Sequence, residues 1–126
     1  MSAWRRKAIE CIPRLKKDFE RPDISIYMVF FELLPCAIEA HNNNDIEQLK
    51  KIYGFAEWCL RQNEKDLWNA AGVCFYEHLG DNRVTLKGMN KWVSFDTYKK
   101  VRELLKWRLD EMDFKVLDNS YSGKSR

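Results

Sequence analysis

Residues Tyr53–Leu79, YGFAEWCLRQNEKDLWNAAGVCFYEHL, decide the fold. Their second half has almost no polar face. On a helix from Lys65 to Leu79, Leu67, Ala70, Ala71, Cys74 and Phe75 cover one side, while Trp68, Val73, Tyr76 and Leu79 continue round the others. A helix that is apolar nearly all round belongs inside a protein, enclosed by other helices. Just upstream, Asp45 is a good N-cap. Ile46, Leu49, Tyr53, Ala56 and Leu60 then recur at spacings of three and four, flanked by Ile52 and Cys59. Glu47 with Lys51, and Glu57 with Arg61, are favourable pairs on the outer face. Gln62-Asn63-Glu64 leaves only a short turn, so the two helices form an antiparallel hairpin.

Working outward, residues 25–41 form a second largely buried helix, with only Met28, Glu32, Pro35 and Glu39 marking a narrow, partly polar strip. Pro35 should kink it. Asn42-Asn43-Asn44 is the turn back. The first helix is capped by Ser2 and carries Trp4, Ala8, Cys11, Ile12, Leu15 and Phe19 inward. Pro13 kinks or splits it, and Arg21-Pro22-Asp23 breaks the chain. Downstream, Gly80-Asp81-Asn82 stops the buried helix, and residues 83–93 show no clear period. Ser94 caps a last long helix with the stripe Tyr98, Val101, Leu105, Leu109 and Met112. The final DNSYSGKSR reads as a frayed tail. The expectation is an all-α, single-domain bundle of about five helices built from antiparallel helical hairpins. The helical domain spans residues 1–117 and a flexible C-terminal tail spans 118–126, with helices 25–41 and 65–79 innermost.

Composition agrees with one folded domain: 126 residues, 45% hydrophobic, with few Gly and Pro. Charge is uneven. Residues 1–22 hold seven Lys/Arg against three Asp/Glu, residues 23–82 four against ten, and residues 83–126 eleven against six. An acidic middle between basic ends argues against one continuous nucleic-acid surface, although folding could group the two ends. The N-terminus has no signal-peptide pattern, and no stretch approaches the ~18 apolar residues of a membrane span. Cys11, Cys36, Cys59 and Cys74 sit apart on apolar faces and read as reduced core thiols. A cytoplasmic location without membrane contact is expected.

No pattern carries recognisable chemistry. Two histidines and four dispersed cysteines give neither C-x-x-C nor H-x-x-x-H, so neither a metal centre nor a cofactor is expected. Phosphate-loop, kinase and nucleophile-elbow patterns are missing. Cys74 and His78, four apart, are the closest approach to a thiolate–imidazole pair. Their burial in the core outweighs that reading. His41, at a helix end, would offset the dipole when protonated. Glu57 and Glu77 lie among aromatics that could raise a carboxyl pKa, yet no partner can be placed for either. A non-enzymatic protein is expected.

Partner binding has the better signal. Trp58 misses the stripe of its helix and falls among Glu47, Lys51, Arg61 and Gln62. Trp107 misses the last stripe and lies near Lys100, Glu103 and Glu111. A tryptophan framed by charges is the composition of an interface anchor, against the simpler alternative that another segment covers it. Asp45, Glu47, Glu57, Glu64, Asp66, Glu77 and Asp81 could turn negative charge toward a basic partner, with Trp58 as apolar anchor. Two other readings compete. WRRK near the start and KKVRELLKWR near the end mix basic and aromatic residues as nucleic-acid binders do. A homo-oligomeric helical scaffold is the third.

The segment DIEQLKKIYGFAEWCLRQNEKDLWNAAGVCFYEHL (residues 45–79) resembles a family of small, wholly helical bacterial proteins. In that family an acidic-capped helix enters an I-Y-x-F-A-E-W-C run and a following helix ends F-Y-E-H-L. SIYMVFFELLP gives a weaker echo. Members look like immunity proteins encoded near secreted polymorphic toxins, and the shared residues look structural. The resemblance implies a non-enzymatic immunity protein that binds and neutralises a cognate protein toxin, a nuclease being one candidate.

Overall fold

A computed structural model describes residues 1–122. Among them there are eight α-helices, two 3-10 segments and no strand. The helices are α1 (Ala3–Cys11), α2 (Lys16–Phe19), α3 (Ile26–Asn42), α4 (Ile46–Leu60), α5 (Lys65–Cys74), α6 (Arg83–Trp92), α7 (Phe95–Arg108) and α8 (Glu111–Tyr121). The all-α bundle is as expected, but it has more pieces than five.

The extra pieces have identifiable causes. Pro13 lacks an N–H and cannot continue α1, so the chain passes through a 3-10 turn at Pro13–Leu15 before α2. Pro35, by contrast, lies inside α3 and the helix runs on to Asn42. The long rod expected over residues 65–79 is divided. α5 stops at Cys74, Phe75 takes φ −123° and ψ −72°, and Tyr76–Asp81 follow as a 3-10 segment. Phe75, Tyr76 and Leu79 all turn inward, each 1% exposed or less, with Tyr76 and Leu79 in one row of the 3-10 segment. The expected enclosure therefore holds for most of the segment and fails at Trp68, which is 40% exposed.

α3, α4 and α5 pack mutually through two short turns. Asn44 supplies the left-handed residue (φ 51°) of the first turn. Asp45 caps α4 by accepting from the Gln48 amide at 3.2 Å. Between them lies an aromatic nucleus in which the Phe75 ring meets Phe30 at 5.8 Å, Tyr53 at 5.6 Å and Tyr76 at 5.3 Å. α1 packs on α4, α6 packs on α3 and α4, α7 packs on α5 and the 3-10 segment, and α8 joins α6 to α7.

Residues 83–93, without clear period in the sequence, form α6, capped by the Asn82 side chain. The expected last helix breaks at Leu109-Asp110, and α8 begins afresh with Asp110 as cap. Met112, expected inward, is 73% exposed, and Phe31 of α3 is 64% exposed. The expected tail is corrected as well, because residues 118–121 belong to α8. Tyr121 is 1% exposed, its ring stacks on Tyr98 at 4.1 Å, and its hydroxyl is shared between the Met89 and Val93 carbonyls. Asp118 accepts from Tyr98 and Arg102, each at 2.8 Å. Residues 123–126 of that tail lie outside the described residues. No described helix is long and apolar enough to cross a membrane.

His41 also differs from expectation. Its Nε2 lies 2.7 Å from the Tyr53 hydroxyl, and burial lowers its pKa from 6.5. It lies half-buried in the last turn of α3, where burial disfavours the charged form that would offset the helix dipole. Its ring rests on Gly88, where an added Cβ would fall 2.6 Å from Cε1.

This packing sets three expectations for stability. Because the folded pKa of His41 lies below its unfolded value, the unfolded chain takes up the proton first as pH falls. Stability should hold above pH 6.5 and decline below it, and His41→Asn should flatten that decline in denaturant titrations across the window. Gly88→Ala should cost about 1–3 kcal/mol by driving the imidazole off Tyr53. Gly54→Ala, with nothing within 4 Å of the new methyl, should stabilise mid-α4, by about 1 kcal/mol.

Candidate partner interface

The chemical candidates dissolve on inspection of the geometry. Cys74 and His78 no longer share a helix, since α5 ends between them. His78 Nδ1 instead pairs with Asp81 at 2.8 Å, and burial raises the Cys74 pKa. Cys11 and Cys59 are likewise buried thiols, each raised by burial to about 12. Glu57 pairs with Arg61 at 2.7 Å, as the spacing suggested. Glu47 pairs with Lys50 at 3.6 Å and not with Lys51. Among the described residues no group of His, Cys, Asp and Glu is placed to hold a metal ion.

The acidic residues do not gather into one field. Glu47 and Glu57 stand at opposite ends of α4, about 15 Å apart along its axis. Glu64 and Asp66 cluster at the α4–α5 turn, where Asp66 accepts from the Tyr27 hydroxyl at 3.2 Å. Glu77 and Asp81 lie at the far end, on the 3-10 segment. Asp81 is gripped by Arg108 through Nε and Nη2, both at 2.9 Å. The Arg108 hydrogen bonds, joined by that from His78, hold its carboxyl below the usual range.

Trp58 is not the free anchor the sequence suggested. α1 lies alongside it, the Lys7 ammonium sits 5.0 Å over its ring, and the indole packs against the core. What remains is a groove of about 260 Å³ between α1 and α4, bordered by Lys7, Glu10, Lys51 and Gly54. α1 covers this tryptophan in part: the indole is half-buried and forms part of the groove wall.

Trp107 fares differently. It is 87% exposed, on the last turn of a helix whose end is fixed by the Arg108–Asp81 pair and by Leu109 against Gly80. Two contacts place α7 against α5 and its 3-10 extension. Gly72 lies against Leu104, and Asp81 meets Arg108. The numbers rise together, so α5 and its 3-10 extension run parallel to α7. Toward the start of α7, Arg61 at the end of α4 borders an open depression of about 650 Å³ with Asp96, Lys99 and Lys100. On that seam Trp68 sits one turn before Gly72 and Trp107 almost one turn after Leu104. By helix geometry Trp68 and Trp107 flank the Gly72–Leu104 contact on this seam, and Arg61 with the lysines of α7 lies toward the start of α7. An apolar seam with aromatic anchors and a charged rim has the anatomy of a protein-binding face. Of the residues expected to bind a partner, Glu57 and Arg61 border it, whereas Glu47 and Trp58 lie elsewhere. Trp68 was missed because the all-round apolar pattern of its segment assigned it to the core.

A family model described as a domain of unknown function (DUF7674) matches residues 5–108, so the chain belongs to that family. No curated protein and no solved structure matches the chain.

Proposed function

We propose that this member of the family is a non-catalytic protein-recognition domain, acting as an immunity protein that neutralises a cognate bacterial toxin through the α5–α7 seam. The observation that carries the recognition step is Trp107, 87% exposed on a helix end that is itself held in place. A tryptophan on a helix end that is already fixed needs no backbone ordering on docking, and such large aromatic side chains dominate binding energy. The resemblance of residues 45–79 to toxin-associated helical proteins supplies the partner class.

The seam also changes the electrostatic part of the reading. Arg61, Lys99 and Lys100 rim it, with Glu57 and Asp96 as their neighbours. Neutralisation then works by covering the toxin with a mixed-charge, tryptophan-anchored surface, and not by a single acidic decoy. Charges at such a rim set encounter rate and register more than affinity.

The test is co-expression with the toxic C-terminal domain of a secreted protein encoded beside this chain. Wild type should restore growth and co-purify with the toxin domain. Trp107→Ala should weaken the complex by about 2 kcal/mol or more, with helical content unchanged. Trp58→Ala should cost fold stability rather than affinity. Full protection by the Trp107 variant would remove the seam from the proposal.

A further inference from the structure

α8 lies beyond the family-matched residues 5–108, and its seam with α6 is not fully closed. The two helices diverge around a groove of about 310 Å³. Leu86, Val116 and Leu117 give it an apolar lining, with Lys87, Asn90 and Ser120 also bordering it. The groove is preformed. Arg83 pairs with Asp113 at 2.9 Å at one point, and the Asn90 amide donates to the Ser120 carbonyl at 2.6 Å at another. Leu117 is buried beneath, while Val116 remains 65% exposed on the outer wall.

Charge decides the class of occupant. Arg83 is satisfied by Asp113, but Lys87 makes no ion pair or hydrogen bond among the described residues. A lone ammonium beside an apolar trough is complementary to a single anionic head on a short hydrocarbon body. The volume stands near the lower bound of small-molecule sites, roughly 300 Å³, which limits the body to a medium chain. We infer that the α6–α8 groove binds a free medium-chain carboxylate, its chain against Leu86, Val116 and Leu117 and its carboxylate on Lys87. This inference stands apart from the partner seam on α5 and α7.

Sodium octanoate is the probe, titrated into the full chain and followed by amide chemical shifts. Saturable shifts on the facing sides of α6 and α8 are expected, with no response to acetate, which lacks the chain. Lys87→Gln should weaken binding about tenfold, as for loss of a charge-assisted contact. Val116→Trp, at an exposed position, should fill the trough and block binding while leaving the circular dichroism spectrum unchanged. The inference is overturned if 1-octanol binds as well as octanoate, if both variants bind like wild type, or if the shifts centre on Trp68 and Trp107.

Discussion

The burial of Phe75 is the constraint on which the rest of the fold depends. Its ring touches three others, from α3, from α4 and from the 3-10 segment that follows it. The chain leaves the α-helix at Phe75 and tightens into a 3-10 segment. With about three residues per turn, that segment brings Tyr76 and Leu79 onto one row beside the Phe75 ring. That segment carries Asp81 to Arg108 and Gly80 to Leu109, which fixes the end of α7. The seam beside Trp107 is thus tied to the Phe75 nucleus through one short segment.

Helix starts were legible wherever a side-chain oxygen preceded a periodic apolar run. Ser2, Ser25, Asp45 and Ser94 each accept a backbone N–H three residues on. The physics is local, so sequence suffices. Two starts were not legible. Asn82 looked like a stop because it follows Gly80-Asp81, and Asp110 lay inside what read as one stripe from Tyr98 to Met112. The stripe that would have exposed the second helix is Phe114, Leu117 and Tyr121, whose last member stood in a segment taken for tail. Polar composition concealed it, since Asp118 and Ser120 are polar for a reason. One accepts from Tyr98 and Arg102, and the other back-bonds to Leu117.

The interface was less legible than the fold, and the cause differs. Periodicity says which residues leave a stripe but not which neighbouring helix arrives to cover them. Trp58 and Trp107 were equivalent on that criterion, and only the placement of α1 over α4 separates them. Helices apolar all round raise the converse difficulty. Nothing in IYMVFFELL or LWNAAGVC marks Phe31 or Trp68 as outward, because exposure there is decided by where packing runs out. The acidic set is dispersed for a third reason, lying in one stretch of sequence that an antiparallel hairpin distributes to both of its ends.

α8 shows how an element beyond the family-matched range can still be structural. Tyr121 supplies a donor to two carbonyls at the end of α6, and Asp118 ties Tyr98 to Arg102 on α7. A helix terminus leaves its last carbonyls without intrahelical donors. In the core of a protein that shortage must be met by a side chain or by water. Here the appended helix meets it, so α6 and α7 are locked to one another through a third body. The same locking keeps Met112 and Val116 pointing outward, because the face of α8 that bears Leu117 and Tyr121 is already committed inward.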